Sequence, residues 1–278
     1  MPGGHTSQVD LSTCCVEYYD SDNPSLPVLV VLGPAPGDIR DFDMVKPALE
    51  RKFRVVILQY PGFVGSTFEE QGETGEGGAL YLYQVVLEFL EIMKLPKAMF
   101  LGVCLGAFLA CKLAIEFPHL VGKLCLVSPM GFTPPGLLAK HYITLMSGRF
   151  APNTLTAAKS YIGHKEKPLV ASMLERAALV QSTPTAVNVI RAVWRSFLLP
   201  ETDLTDRAAA IKAPVLLVFG KNDPIVSPTK EGKVARKAFG EAAAGFIVLE
   251  ARHVPYAEVP DDFVKAVMPF LGDDLDLL

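Results

Sequence analysis

Residues 98–117 read AMFLGVCLGAFLACKLAIEF. The first six form an uninterrupted apolar run, the pattern of a strand covered on both faces. Residues 105–117 have the length and composition of a helix. Between them, Gly102-Val103-Cys104-Leu105-Gly106 has the form small-x-nucleophile-x-small. Such a strand-to-helix turn holds its central residue in a strained conformation at the top of a sheet. The glycines two positions to either side are needed because backbones crowd there. The turn also places Cys104 at a helix N-terminus, whose dipole and unpaired N–H groups favour a thiolate and a developing oxyanion. Read as packing alone, the same residues give a tight turn around a small buried thiol.

Outward from this turn, strand-like runs recur at 27–32, 53–58, 123–127, 214–219 and 245–249. Helical patterns occupy 79–95, 230–239 and 259–271, and the alternation predicts an α/β fold with a mostly parallel sheet. Residues 9–19 alternate apolar and polar side chains and predict one antiparallel edge strand. From 131 to 213 no strand pattern occurs. Pro134-Pro135 is followed by helix-like pieces at 137–146, 155–162, 169–180 and 185–199. Residues 1–130 and 214–278 are therefore expected to form one core, with 131–213 a helical insertion. The Gly-rich, acidic stretch 72–78 is expected to be a mobile loop, and the tail 273–278 to fray.

A cysteine nucleophile needs a base, and the base needs an orienter. His253, in LEARHVP at 249–255, follows the last strand and precedes the last helix, at the sheet end where ligands bind in open α/β folds. His119 follows Pro118 at the far end of the helix that starts at the turn. His141 and His164 lie in the insertion, and His5 near the start. Asp223, in FGKNDPIV at 219–226, also follows a strand. Asn-Asp-Pro is good turn chemistry as well, which is compatible with a catalytic carboxylate. After 123–127 the chain reads Ser128-Pro129-Met130-Gly131, without a carboxylate. The order Cys104, Asp223, His253 is nucleophile, acid, base.

With the loop Gly33-Pro34-Ala35-Pro36-Gly37, the stretch Tyr60-Pro61-Gly62-Phe63-Val64-Gly65-Ser66 and Gly220 to Asp223, these pieces resemble the α/β-hydrolase superfamily over nearly the whole chain. The resemblance implies a sheet of about eight strands, mostly parallel, flanked by helices, with 131–213 as a helical cap above the site. Most members carry Ser where this chain has Cys104. Cys stands there in dienelactone hydrolases, polyhydroxyalkanoate synthases and a few thioesterases, but the first usually lack a large cap and the second are longer. Pro34 has no N–H, so Ala35 and Leu105 are the expected backbone donors to an oxyanion. Gln59 replaces an Asp common before Pro-Gly.

The expected activity is hydrolysis of an ester, lactone or thioester through Cys104, His253 and Asp223 by way of a covalent acyl-enzyme. Acyl transfer or lyase chemistry on the same fold, and a slow or non-catalytic receptor, remain open. Dehalogenases of this fold need a carboxylate nucleophile. Phe132, Tyr142, Met146 and Trp194 are the candidate substrate-binding residues and point to an apolar or aromatic acyl group, although large apolar residues there also serve simply as packing.

The 278 residues include 50% hydrophobic and 20% charged side chains, which excludes a disordered chain. A net charge of −4 leaves no basic excess for nucleic acid. Mean hydropathy is +0.30, yet no run approaches the roughly 18–20 apolar residues of a membrane span. No HxxxH, CxxC or phosphate-loop spacing occurs, so neither a metal nor a cofactor is expected. No signal peptide is read and the five cysteines suit a reducing compartment, so a cytoplasmic location is expected.

Overall fold

The computed structural model describes residues 4–68, 78–132 and 136–272. The expected Pro134-Pro135 break, residues 72–77 of the Gly-rich loop and the 273–278 tail lie outside them. The strands are β1 (His5–Asp10), β2 (Cys14–Asp20), β3 (Val28–Leu32), β4 (Arg54–Leu58), β5 (Thr67–Phe68), β6 (Ala98–Val103), β7 (Val121–Val127), β8 (Val215–Gly220) and β9 (Ala243–Leu249). The helices are α1 (Lys46–Leu49), α2 (Gly78–Ile92), α3 (Leu105–Glu116), α4 (Leu137–Ser147), α5 (Thr154–Tyr161), α6 (Pro168–Gln181), α7 (Pro184–Ser196), α8 (Glu231–Phe239), α9 (Pro255–Glu258) and α10 (Pro260–Gly272).

The sheet runs β1-β2-β4-β3-β6-β7-β8-β9, parallel from β4 to β9, with β1, β2 and β5 joined antiparallel. It has nine strands rather than eight because two-residue β5 adds to β2. Every residue of β3, β6, β7 and β8 is buried. Side chains alternate across a strand, so these runs feed two cores. Val28, Val30, Leu32 and Phe100 pack with α2 and α3 on one face. Leu29, Val31, Met99 and Val103 pack with α1 and α10 on the other.

One expectation is corrected. Residues 9–19 form parts of two strands rather than one, because Leu11-Ser12-Thr13 turns the chain between β1 and β2. Leu11 N donates to Cys14 O at 2.8 Å, and both Ser12 N and its hydroxyl donate to the Glu88 carboxylate on α2. Helices α4 to α7 stand between β7 and β8 in the chain. The α7 helix packs on α2 and α4, and α5 on α6. Among the described residues no helix is long and apolar enough to cross a membrane.

Candidate active site

The parallel strands deliver their C-terminal ends to one edge of the sheet, and three loops there bring Cys104, Asp223 and His253 together. Cys104 has φ 53° and ψ −106°, a conformation L residues rarely adopt. Its neighbours explain how it is held. A Cβ on Gly106 would lie 1.9 Å from Leu32 O, so only glycine lets α3 press against β3. Cys104 N donates to Val127 O at 2.9 Å, fixing the turn to β7. Leu105 is the first residue of α3, so its N–H has no acceptor inside the helix.

Asp223 serves its turn and the site at once. Oδ1 accepts from Ile225 N at 2.8 Å and Val226 N at 3.1 Å, and Oδ2 meets His253 Nδ1 at 2.8 Å. Its loop is knitted to the His253 loop by Lys221 N to Leu249 O and Asn222 N to Ala251 O. With Nδ1 committed to Asp223, Nε2 is the ring nitrogen left for Cys104, which lines the same cavity as His253. His253 is 2% exposed; its N–H donates to Tyr161 O, and its ring stands edge-on to Tyr161 at 5.5 Å.

Burial alone would keep the imidazole neutral, but the Asp223 carboxylate and then Cys104 outweigh it and hold His253 well above its usual value. Burial likewise opposes the Asp223 charge, yet His253 pulls its carboxyl below the usual range. Cys111 and Cys125 differ from Cys104 in place: both are sealed in the core, where burial pushes their thiols up.

Cys104 and His253 open on a cavity that Ala35, Tyr142, Met146 and Trp194 also line. Tyr142 and Trp194 meet edge to face at 5.6 Å. Phe132 does not line it. Standing just past β7, it is 2% exposed and turned into the core against Phe239 of α8, with ring centroids 4.8 Å apart. His119 is exposed beyond the far end of α3, about 18 Å of helix away. His141 and His164 are exposed, His164 beside Glu166, and His5 lies in β1. Among the described residues no cluster of His, Cys, Asp and Glu could hold a metal ion.

Sequence reasoning passes over Glu258 and gives no bracing role to Gln59 or Tyr60. Glu258 is 0% exposed and accepts from Arg252 N at 3.0 Å and Val254 N at 3.2 Å, clamping the backbone on both sides of His253. Its signal is a carboxylate in the first turn of the Pro-started helix that follows His253. Gln59 donates to Gly37 O and accepts from Ile39 N, while the Tyr60 hydroxyl donates to Gly33 O, so both ends of the loop carrying Ala35 are pinned.

The alpha/beta hydrolase fold family model matches residues 27–260. A pimeloyl-[acyl-carrier protein] methyl ester esterase of Serratia marcescens is 28% identical over 236 residues, covering 81% of this chain and 86% of that protein. A 2-hydroxy-6-oxo-6-phenylhexa-2,4-dienoate hydrolase of Comamonas testosteroni is 22% identical over 274 residues, 95% of this chain and 94% of that one. Among solved structures, an enol-lactonase from Burkholderia xenovorans LB400 superimposes with a TM-score of 0.74 at 18% identity, covering 96% of this chain and 100% of that one. A match across both the Gly102–Gly106 turn and the histidine loop means that this chain belongs to the alpha/beta hydrolase fold family.

Proposed function

We propose that the protein hydrolyses a carboxylic ester, lactone or thioester through an acyl-enzyme on Cys104, with α4 to α7 acting as a cap over the site. The observation that carries this reading is the Asp223–His253 pair at 2.8 Å, opening on the same cavity as a cysteine held in a strained turn. His253 Nε2 takes the proton from Cys104 Sγ, and the sulfur attacks the carbonyl carbon. Negative charge gathers on the carbonyl oxygen, where the N–H groups of Leu105 and Ala35 receive it. The intermediate collapses, the C–O or C–S bond breaks, and the departing alcohol or thiol takes the proton from His253. Water then gives a proton to His253 and its oxygen to the acyl carbon. The carboxylic acid leaves and Cys104 regains its proton. Asp223 accepts from Nδ1 throughout, fixing the tautomer and stabilising the imidazolium. Three loops fixed to one sheet suit this role, since sites on rigid elements keep their geometry.

Intact-mass measurement after mixing with 4-nitrophenyl acetate tests the proposal. The expected result is a transient adduct of one acetyl group on Cys104, lost as 4-nitrophenol continues to form, and absent in Cys104→Ala. Full turnover by Cys104→Ala would overturn it. A stable stoichiometric adduct without turnover would identify a ligand-capturing protein instead.

A further inference from the structure

The cavity above Cys104 has one charged side chain that the mechanism does not use. Val187, Ile190, Arg191 and Trp194 recur at the spacing of one helical face, and this face of α7 lines the cavity. Three of the four are apolar. Arg191 stands among them with its Nε buried and without a hydrogen-bond partner. No described residue forms an ion pair or hydrogen bond with its guanidinium, and no Asp or Glu is among the described residues lining the cavity.

The other strongly polar group in this wall has the same bias. Thr154 N donates to Gln181 Oε1 at 2.8 Å and the Thr154 hydroxyl at 3.1 Å, so the amide oxygen is occupied and its orientation follows from the backbone donor. What Gln181 has left to offer is its NH2. Away from Cys104 and His253, the spare polar capacity of Arg191 and Gln181 is thus all donor, and its charge is a single cation. A half-buried cation without a counter-ion loses hydration that nothing in the protein replaces, and a planar guanidinium matches a carboxylate through two parallel hydrogen bonds. One positive charge balances a monoanion better than a dianionic phosphate.

Resting on the esterase reading above, we infer that the acyl group of the substrate carries a carboxylate remote from its scissile carbonyl, and that Arg191 binds this carboxylate, assisted by the Gln181 amide. The substrate class is then a monoester or monothioester of a dicarboxylic acid, with an apolar chain between its two ends matching the apolar wall. This narrows the apolar acyl group expected from the sequence.

The test compares 4-nitrophenyl hexanoate with the mono-4-nitrophenyl esters of adipic and suberic acids, on wild type, Arg191→Met and Arg191→Lys. Met preserves helix propensity and bulk, and circular dichroism checks the fold. Wild type is expected to favour at least one hemiester over the neutral ester. Arg191→Met is expected to lose about 100-fold in kcat/KM on that hemiester, mainly through KM, with the neutral ester changed less than threefold. Arg191→Lys should fall between, since a point charge lacks the fork. Equal effects on charged and neutral esters, or none, would overturn the inference while leaving the esterase reading in place. If neither ester is cleaved, the esterase reading fails. Thermal-shift titration with adipate and suberate then decides: stabilisation of wild type lost in Arg191→Met supports the anion site, and equal or absent stabilisation overturns it.

Discussion

Arg176 and Arg191 project from neighbouring helices, α6 and α7, and their surroundings are opposite. The Arg176 guanidinium meets Asp41 Oδ1 at 2.5 Å, the Ser172 hydroxyl at 2.6 Å and Asp38 at 3.7 Å. Asp38 and Asp41 belong to the loop between β3 and α1, so this arginine joins the helices between β7 and β8 to the sheet. Arg191 has no such partner among the described residues. A charge answered within the protein is a joint, and a charge left unanswered in a cavity awaits something from outside. Neither belongs to the sheet-borne trio of Cys104, Asp223 and His253, in which the carboxylate is answered by the imidazole.

The largest expected effect separates that trio from both arginines. Asp223→Asn removes the carboxylate that orients His253 and holds its proton affinity up. A fall in kcat of about 10⁴-fold is expected, equal for neutral and carboxylate-bearing esters, and the imidazole should titrate at lower pH in NMR. A loss confined to the charged ester would place Asp223 in recognition and dissolve the distinction between the chemistry and the α7 wall.

The next effect compares backbone crowding on the two sides. At Gly106 a Cβ would strike Leu32 O at 1.9 Å, whereas at Gly136, just before α4, it would meet nothing within 4 Å. Gly106→Ala is expected to cost 3 kcal/mol or more, at the upper end of overpacking (~1–3 kcal/mol) because the obstacle is backbone. Gly136→Ala should stay within about 0.5 kcal/mol. Thermal melts check both, and comparable losses would mean that the helices between β7 and β8 are as tightly set as the turn at Cys104.

The strands and the strand-to-helix turn at Cys104 were legible because a doubly covered strand needs a continuous apolar run, and a G-x-C-x-G turn needs its glycines. Asp223 and His253 were legible because chain order and sheet topology place strand ends together. Phe132 was misread: as a large apolar residue at the start of the insertion it looked like cavity lining, and only the packing of α8 shows it turned into the core. The hairpin within 9–19 was hidden because its turn depends on Glu88, far away in the chain. Arg176 and Arg191 look alike in sequence, since a charge every few residues is how a solvated helix face reads. Their difference lies in helix phase and in what the opposite element supplies, and neither is local.

The smallest effect tests the joint itself. Asp41 is buried, and burial outweighs the attraction of Arg176, pushing its carboxyl up from 3.8 to about 6. Between those values the unfolded chain has released a proton that the folded chain keeps, so folding stability falls as pH rises through the window, by at most about 3 kcal/mol. Asp20, Asp38, Glu116 and Asp223 are shifted the other way and lend stability that is lost as pH falls, so the informative quantity is the difference between two unfolding curves. Asp41→Asn should remove the falling component between about pH 4 and pH 6, while Arg191→Met should leave it in place. If urea unfolding at several pH values gave wild type and Asp41→Asn the same slope, the Arg176 joint would not be where this proton is held. If Arg191→Met flattened the curve as well, the two arginines would share one network and the contrast between joint and open site would fail.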